Sequence, residues 1–62
     1  MKVTYKKAAN FLTAEDVAEL LGVSLSTAYR IIKRLNDELK AQGFITVAGK
    51  ISKRYFEQKV AL

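Results

Sequence analysis

Residues 12–36 read LTAEDVAELLGVSLSTAYRIIKRLN, a run that holds two helix starts separated by one helix stop. Thr13 stands three residues ahead of Asp16, close to a capping box in which the threonine hydroxyl accepts a helical N–H, so a first helix is predicted from Ala14. Val17, Ala18, Leu20 and Leu21 follow at near-helical spacing, leaving Glu15, Asp16 and Glu19 for solvent and the positive helix end. Gly22 stops this helix. Ser24, with Ser26 and Thr27 close behind, is a second start, and neither Gly nor Pro interrupts the chain from there to Gln42. On this longer helix Ala28, Ile31, Ile32, Leu35 and Leu39 form one apolar stripe, while Arg30, Lys33, Arg34 and Lys40 lie on the other face. Gly43 suits the left-handed position that closes many helices.

The positions of Ala18, Gly22, Val23, Ala28 and Ile31 have a common steric logic. Two helices crossing at about 90–120° through a short turn need a small residue where they touch and a turn residue tolerant of positive φ. Ala18 and Gly22 supply these, and Val23, Ala28 and Ile31 pin the second helix, which predicts a helix-turn-helix over residues 13–42.

Working outward, Phe44 to Val47 is β-branched and aromatic, Gly49-Lys50 suits a tight turn, and Ile51 resumes the apolar pattern, so a hairpin is expected over 44–51. Ser52 can cap a last helix over 52–60 carrying Tyr55, Phe56, Lys59 and Val60. Residues 1–11, with Lys2, Lys6 and Lys7, read as a basic arm. That arm either reaches DNA or stays solvated, and the solvated reading is preferred. The fold class is α+β, mainly α: a single winged helix-turn-helix domain over 1–62 with a two-stranded hairpin and a short C-terminal helix. Phe11, Phe44, Tyr55 and Phe56 are assigned to the core, because a domain of 62 residues, burying only about 60% of its unfolded surface, needs its aromatics there.

Composition narrows the function. There is no Cys, so neither a disulfide nor a thiolate metal site supplements the core. There is no His, which removes the commonest general base and zinc ligand, and the carboxylates do not fall at spacings that suggest a catalytic pair or a metal cage. No enzyme and no cofactor are expected. No apolar run reaches the roughly 20 residues of a membrane span, and a cytoplasmic protein, nucleoid-associated when bound, is the expectation. Eleven Lys and Arg against six Asp and Glu give a net charge of +5, which favours a polyanionic partner.

The stretch from Thr13 to Asn36 resembles the helix-turn-helix of phage and transposon excisionases and of the wider MerR-like group. Glu38 to Ile45, the hairpin, and Ser52-Lys-Arg-Tyr-Phe56 are similar to small excisionase-family proteins of mobile elements, so the resemblance runs from about Leu12 to Val60. It implies that the second helix reads duplex DNA in the major groove. The residues agree, because the first turns of that helix expose Ser26, Thr27 and Arg30. Arg30 is the leading base reader, since a guanidinium pairs bidentately with guanine, and Ser26 and Thr27 can reach bases or phosphates. Ser24, Tyr29, Lys33, Arg34, Lys50, Lys53 and Arg54 are assigned to the DNA backbone. For Tyr29, packing under the wing or against the N-terminal arm is an equal alternative. Expected partners are double-stranded DNA and either an integrase or recombinase or further copies on tandem sites. The roles left open are an excisionase-type directionality factor and a phage-type transcriptional regulator. An interaction adaptor whose basic helix docks on an acidic protein is the alternative from another class.

Overall fold

The computed structural model describes residues 10–60 and shows five elements: β1 (Phe11–Thr13), α1 (Ala14–Leu21), α2 (Leu25–Ala41), β2 (Lys50–Ser52) and α3 (Lys53–Val60). The arm expected over residues 1–11 lies outside the described residues up to residue 9, and its last residue, Phe11, belongs to a strand instead.

The helix boundaries follow from local chemistry. Thr13 caps α1 with a reciprocal box: the Asp16 N–H donates to Thr13 Oγ1 at 3.2 Å, and the Thr13 N–H donates to Asp16 Oδ2 at 3.0 Å. Gly22 closes α1 in the left-handed region (φ 68°, ψ 37°), and the Val23 N–H returns to the Ala18 carbonyl at 3.0 Å. Ser24 then caps α2 by accepting the Thr27 N–H at 3.2 Å. At the far end Gly43 (φ 95°) allows its N–H to reach the Lys40 carbonyl and that of Phe44 to reach Leu39, the paired bonds of a Schellman closure. Ser52 accepts the Tyr55 N–H at 3.3 Å and starts α3.

The core draws on every helix: Ala14 and Val17 from α1, Ala28, Ile32 and Leu35 from α2, Ile51 from β2 and Phe56 from α3. The two strands pair antiparallel with Phe11 opposite Ser52, Leu12 opposite Ile51 and Thr13 opposite Lys50. This sheet clamps the start of α1 to the start of α3 and leaves α1 and α2 crossing through the Gly22 turn.

The winged helix-turn-helix architecture is therefore present, but the wing differs from the sequence expectation in how it is paired. Residues 44–46 form no strand, and Val47 meets Lys50 only in an isolated bridge, with the Lys50 N–H on the Val47 carbonyl at 3.1 Å. The turn falls where expected, with Gly49 at φ 78°, but the ladder of β2 runs to β1. Two causes are visible. The Schellman closure extends through Phe44 and delays any extended segment. Lys50 to Ser52 take Thr13 to Phe11 as their ladder partner, while Asn36 bonds the carbonyls of Val47 and Lys50 to α2. Phe44 is 59% exposed and Phe11, on β1, 50%, so neither joins the core to which it was assigned, whereas Phe56 is fully buried.

A polar cluster ties the C-terminal half of α2 to α3. The Tyr55 hydroxyl donates to Glu38 Oε1 at 2.7 Å, Gln42 Nε2 donates to the Tyr55 oxygen at 3.3 Å, and Lys59 Nζ lies 3.5 Å from Glu38 Oε1. The Tyr55 hydrogen bond, and after it the Lys59 charge, hold the Glu38 carboxyl below the ordinary carboxylate range against an opposing desolvation effect.

Gly22→Ala should cost about 1–2 kcal/mol, because the space around it is open but an L side chain is strained at its φ of 68°. A thermal melt followed by circular dichroism should show Tm falling by roughly 5–10 °C. Because the folded pKa of Glu38 is depressed, its stabilisation is complete above the ordinary carboxylate range and disappears as pH falls through the lowered value. Tyr55→Phe should raise the Glu38 midpoint in an NMR titration and reduce that acid-side loss.

Candidate nucleic-acid interface

The N-terminal turns of α2 carry a connected row of polar side chains. Ser24 Oγ donates to Thr27 Oγ1 at 3.0 Å and lies 3.3 Å from Ser26 Oγ, and Arg30 Nη2 donates to Thr27 Oγ1 at 3.3 Å. Ser24, Ser26 and Arg30 are exposed, whereas Thr27 is half-buried. The oxygen of Thr27 thus accepts from both neighbours and steadies the guanidinium, and its own proton remains available to donate. Ser24 has two tasks already, capping α2 and donating to Thr27. Arg30, with its remaining guanidinium N–H groups, is the member of this row that presents unspent donors to the outside, and Ser26 stands exposed beside it with its hydroxyl oxygen open.

Along the same helix Tyr29, Lys33, Asn36 and Lys40 recur at spacings of four, three and four, which places them on one side of α2 facing the wing. With Asp37, Thr46, Ala48 and Gly49 they line an open cleft of about 570 Å³. A Cβ on Gly49 would sit 3.6 Å from Tyr29 Cε1, so the tyrosine ring packs beside the wing turn while remaining half exposed. Lys33 Nζ is 3.4 Å from Asp37 Oδ2 in a solvent-exposed i,i+4 pair. Arg34 opens onto the neighbouring surface with Arg30, Lys33 and Glu38.

Lys50 stands exposed on β2 at the end of the wing turn. Lys53 and Arg54 lie elsewhere. Both border a shallow surface with Asn10, Phe11, Ser52 and Glu57, and Lys53 also borders a groove with Asp16, Glu19 and Glu57. The structure therefore brings together Ser24, Ser26, Thr27 and Arg30, and sets Tyr29 and Lys33 beside the wing. It does not bring Lys53 or Arg54 to the α2–wing cleft. Sequence reasoning did not assign Asn36 or Lys40 to the site, nor the pairing of Asp37 with Lys33. A polar residue adjoining Leu35 and one turn beyond Ile32 on an apolar stripe was the signal that could have found Asn36.

A helix-turn-helix with a polar and basic second helix and a wing beside it is the architecture of a DNA-binding protein. Residues 11–59 match the family described as Helix-turn-helix domain. The chain is 42% identical over 48 residues to the ICEBs1 excisionase of Bacillus subtilis (strain 168), an alignment covering 77% of this chain and 75% of that protein. No solved structure gives a significant match. The chain belongs to the excisionase-like helix-turn-helix DNA-binding proteins of mobile elements. Among the described residues, no helix is long and apolar enough to cross a membrane.

The exposed Lys33–Asp37 pair is weak, of a kind worth about 0.3–0.5 kcal/mol. Asp37 also places a negative charge beside a surface suited to phosphate. Asp37→Asn should tighten binding to any duplex by about threefold at low salt, with the gain fading as salt rises, in a fluorescence anisotropy titration.

Proposed function

We propose that α2 enters the major groove with Arg30 and Ser26 on base edges and Thr27 holding the arginine. The observation that carries this reading is the hydrogen-bonded Ser24, Ser26, Thr27 and Arg30 row at the exposed start of α2. A guanidinium steadied by a neighbouring hydroxyl loses less freedom when it takes up a bidentate pairing with guanine. Tyr29, Lys33, Arg34 and Lys50, on the surfaces flanking that row, contact phosphates and give affinity without sequence information.

Lys53 and Arg54 are assigned to phosphate on a different ground. They occupy the first turn of α3, where cations oppose the helix dipole by about 0.3–1 kcal/mol each at low salt. Basic residues at an unfavourable position fit a role outside folding.

The chain performs no chemistry in this reading. It acts as a recombination directionality factor: by occupying and bending DNA beside a recombination junction it favours excision by an integrase, and copies on adjacent sites raise the occupancy that one small domain reaches alone. The relative's name, an excisionase, supports this direction.

Duplex pools selected by the protein should yield a motif, and binding to random duplex should weaken steeply with salt. Arg30→Ala should relax the motif, with the preferred base losing about 1–3 kcal/mol of discrimination. Lys33→Ala should instead weaken all duplexes alike and lower the salt slope by about one. Equal effects of the two substitutions on selected and random DNA would overturn the division of roles.

A further inference from the structure

Asn36 lies among apolar neighbours on the core stripe of α2 and is only 7% exposed. Its Nδ2 donates to the carbonyl of Val47 at 3.1 Å and to that of Lys50 at 2.9 Å. Only the amide nitrogen can satisfy two carbonyls, so both of its hydrogens are committed, one to each end of the wing turn. The Val47 carbonyl also accepts the Lys50 N–H, and the turn, its closing bond and the helix meet at one side chain.

On its far side the turn runs into β2, where Lys50 pairs with Thr13, but the segment that leads into the turn has few other holds. Residues 44–46 make no ladder, Ile45 is 97% exposed, and the turn is closed by a single bridge. Tyr29 supplies a surface for Gly49 to rest on but no directional bond to it. The core would accept an apolar residue of the same shape at position 36, with Ile32 and Leu35 buried beside it. A carboxamide therefore brings the packing nothing that a leucine would not; its particular yield is the fixed relation between turn and helix.

We propose that Asn36 is a positioning residue for DNA binding. Its carboxamide locks the wing turn to α2, so that Lys50 and the Arg30–Lys33 surface meet the duplex as one body and no ordering of the wing is needed on binding. The inference rests on the reading of α2 and Lys50 as DNA contacts.

The test is a double-mutant cycle between Asn36→Leu and Lys50→Ala, read by anisotropy on a duplex at two salt concentrations. Asn36→Leu keeps the shape and removes both donors. Because it leaves the Lys50 carbonyl without that donor, its Tm should fall modestly; at a temperature where it is fully folded it should bind about fivefold more weakly, with a smaller salt slope. Lys50→Ala should weaken binding about threefold, and the double variant should bind no more weakly than Asn36→Leu alone. Hydrogen exchange gives a readout without DNA: the Lys50 amide should exchange faster in Asn36→Leu while the Ile32 amide stays protected. Asn36→Ala, with no added apolar bulk, should reproduce the binding loss.

Unchanged affinity in Asn36→Leu, or losses that multiply in the double variant, would overturn the inference while leaving DNA binding intact. Failure of the wild-type protein to bind duplex at low salt would bring down both.

Discussion

A carboxamide buried beside leucine and isoleucine has to find partners for its hydrogens inside the protein, because leaving them unpaired costs about 1–3 kcal/mol. In this fold the partners of Asn36 are two backbone carbonyls that belong to another segment, eleven and fourteen residues further along the chain. That bond ties the turn that follows α2 to the helix itself, immediately ahead of β2. The segments beyond it, β2 and α3, contribute Ile51 and Phe56 to the core, and Ser52 caps α3. The wing is short because β2 takes β1 as its ladder partner, and its turn rests on the helix beneath it through Asn36.

Much of this was legible in the sequence where structure is set by neighbours. The ends of α1 and α2 followed from Thr13, Asp16, Gly22, Ser24 and Gly43, each acting on backbone within one turn of itself. The apolar stripe from Ala28 to Leu39 gave the buried side of α2. What escaped was non-local. β1 and β2 have three residues each and pair Phe11 with Ser52 across most of the chain, too short and too distant for periodicity to register. The pull of Phe44 to Val47 toward a strand was real as propensity, but Gly43 and the pairing of β2 with β1 overrode it. Phe11 and Phe44 remained half exposed because Phe56, Ile51, Ile32 and Val17 already fill the interior.

The candidate interface divides in the same way. Ser24, Ser26, Thr27 and Arg30 lie within two turns of one helix, so their association could be read from spacing alone. The surface on which Lys53 and Arg54 sit depends on how α3 is set against α1 and β1, and no local pattern carries that information. The charge of +5 showed that a polyanion suits the chain, and among the described residues the charges are unevenly placed. Asp16, Glu19 and Glu57 collect around the groove beside Lys53, whereas on the outer face of α2 Arg30, Lys33 and Arg34 outnumber Asp37 and Glu38. An uneven field of this kind orients the molecule as it approaches a duplex, before any contact forms.

The pairing of Phe11–Thr13 with Lys50–Ser52 has a kinetic meaning as well. Neither strand has a partner until the chain through Ser52 exists, and the loop they close spans both α1 and α2. Helical segments can flicker into being early, but the step that commits the fold brings distant ends together, the slow kind of contact in a small domain. A break anywhere between α2 and β2 would separate Ile51 and Phe56 from the rest of the interior at one stroke. The lifetime of such a protein in the cell would then depend on the integrity of this connection, where a protease finds Ile45 and Ala48 exposed.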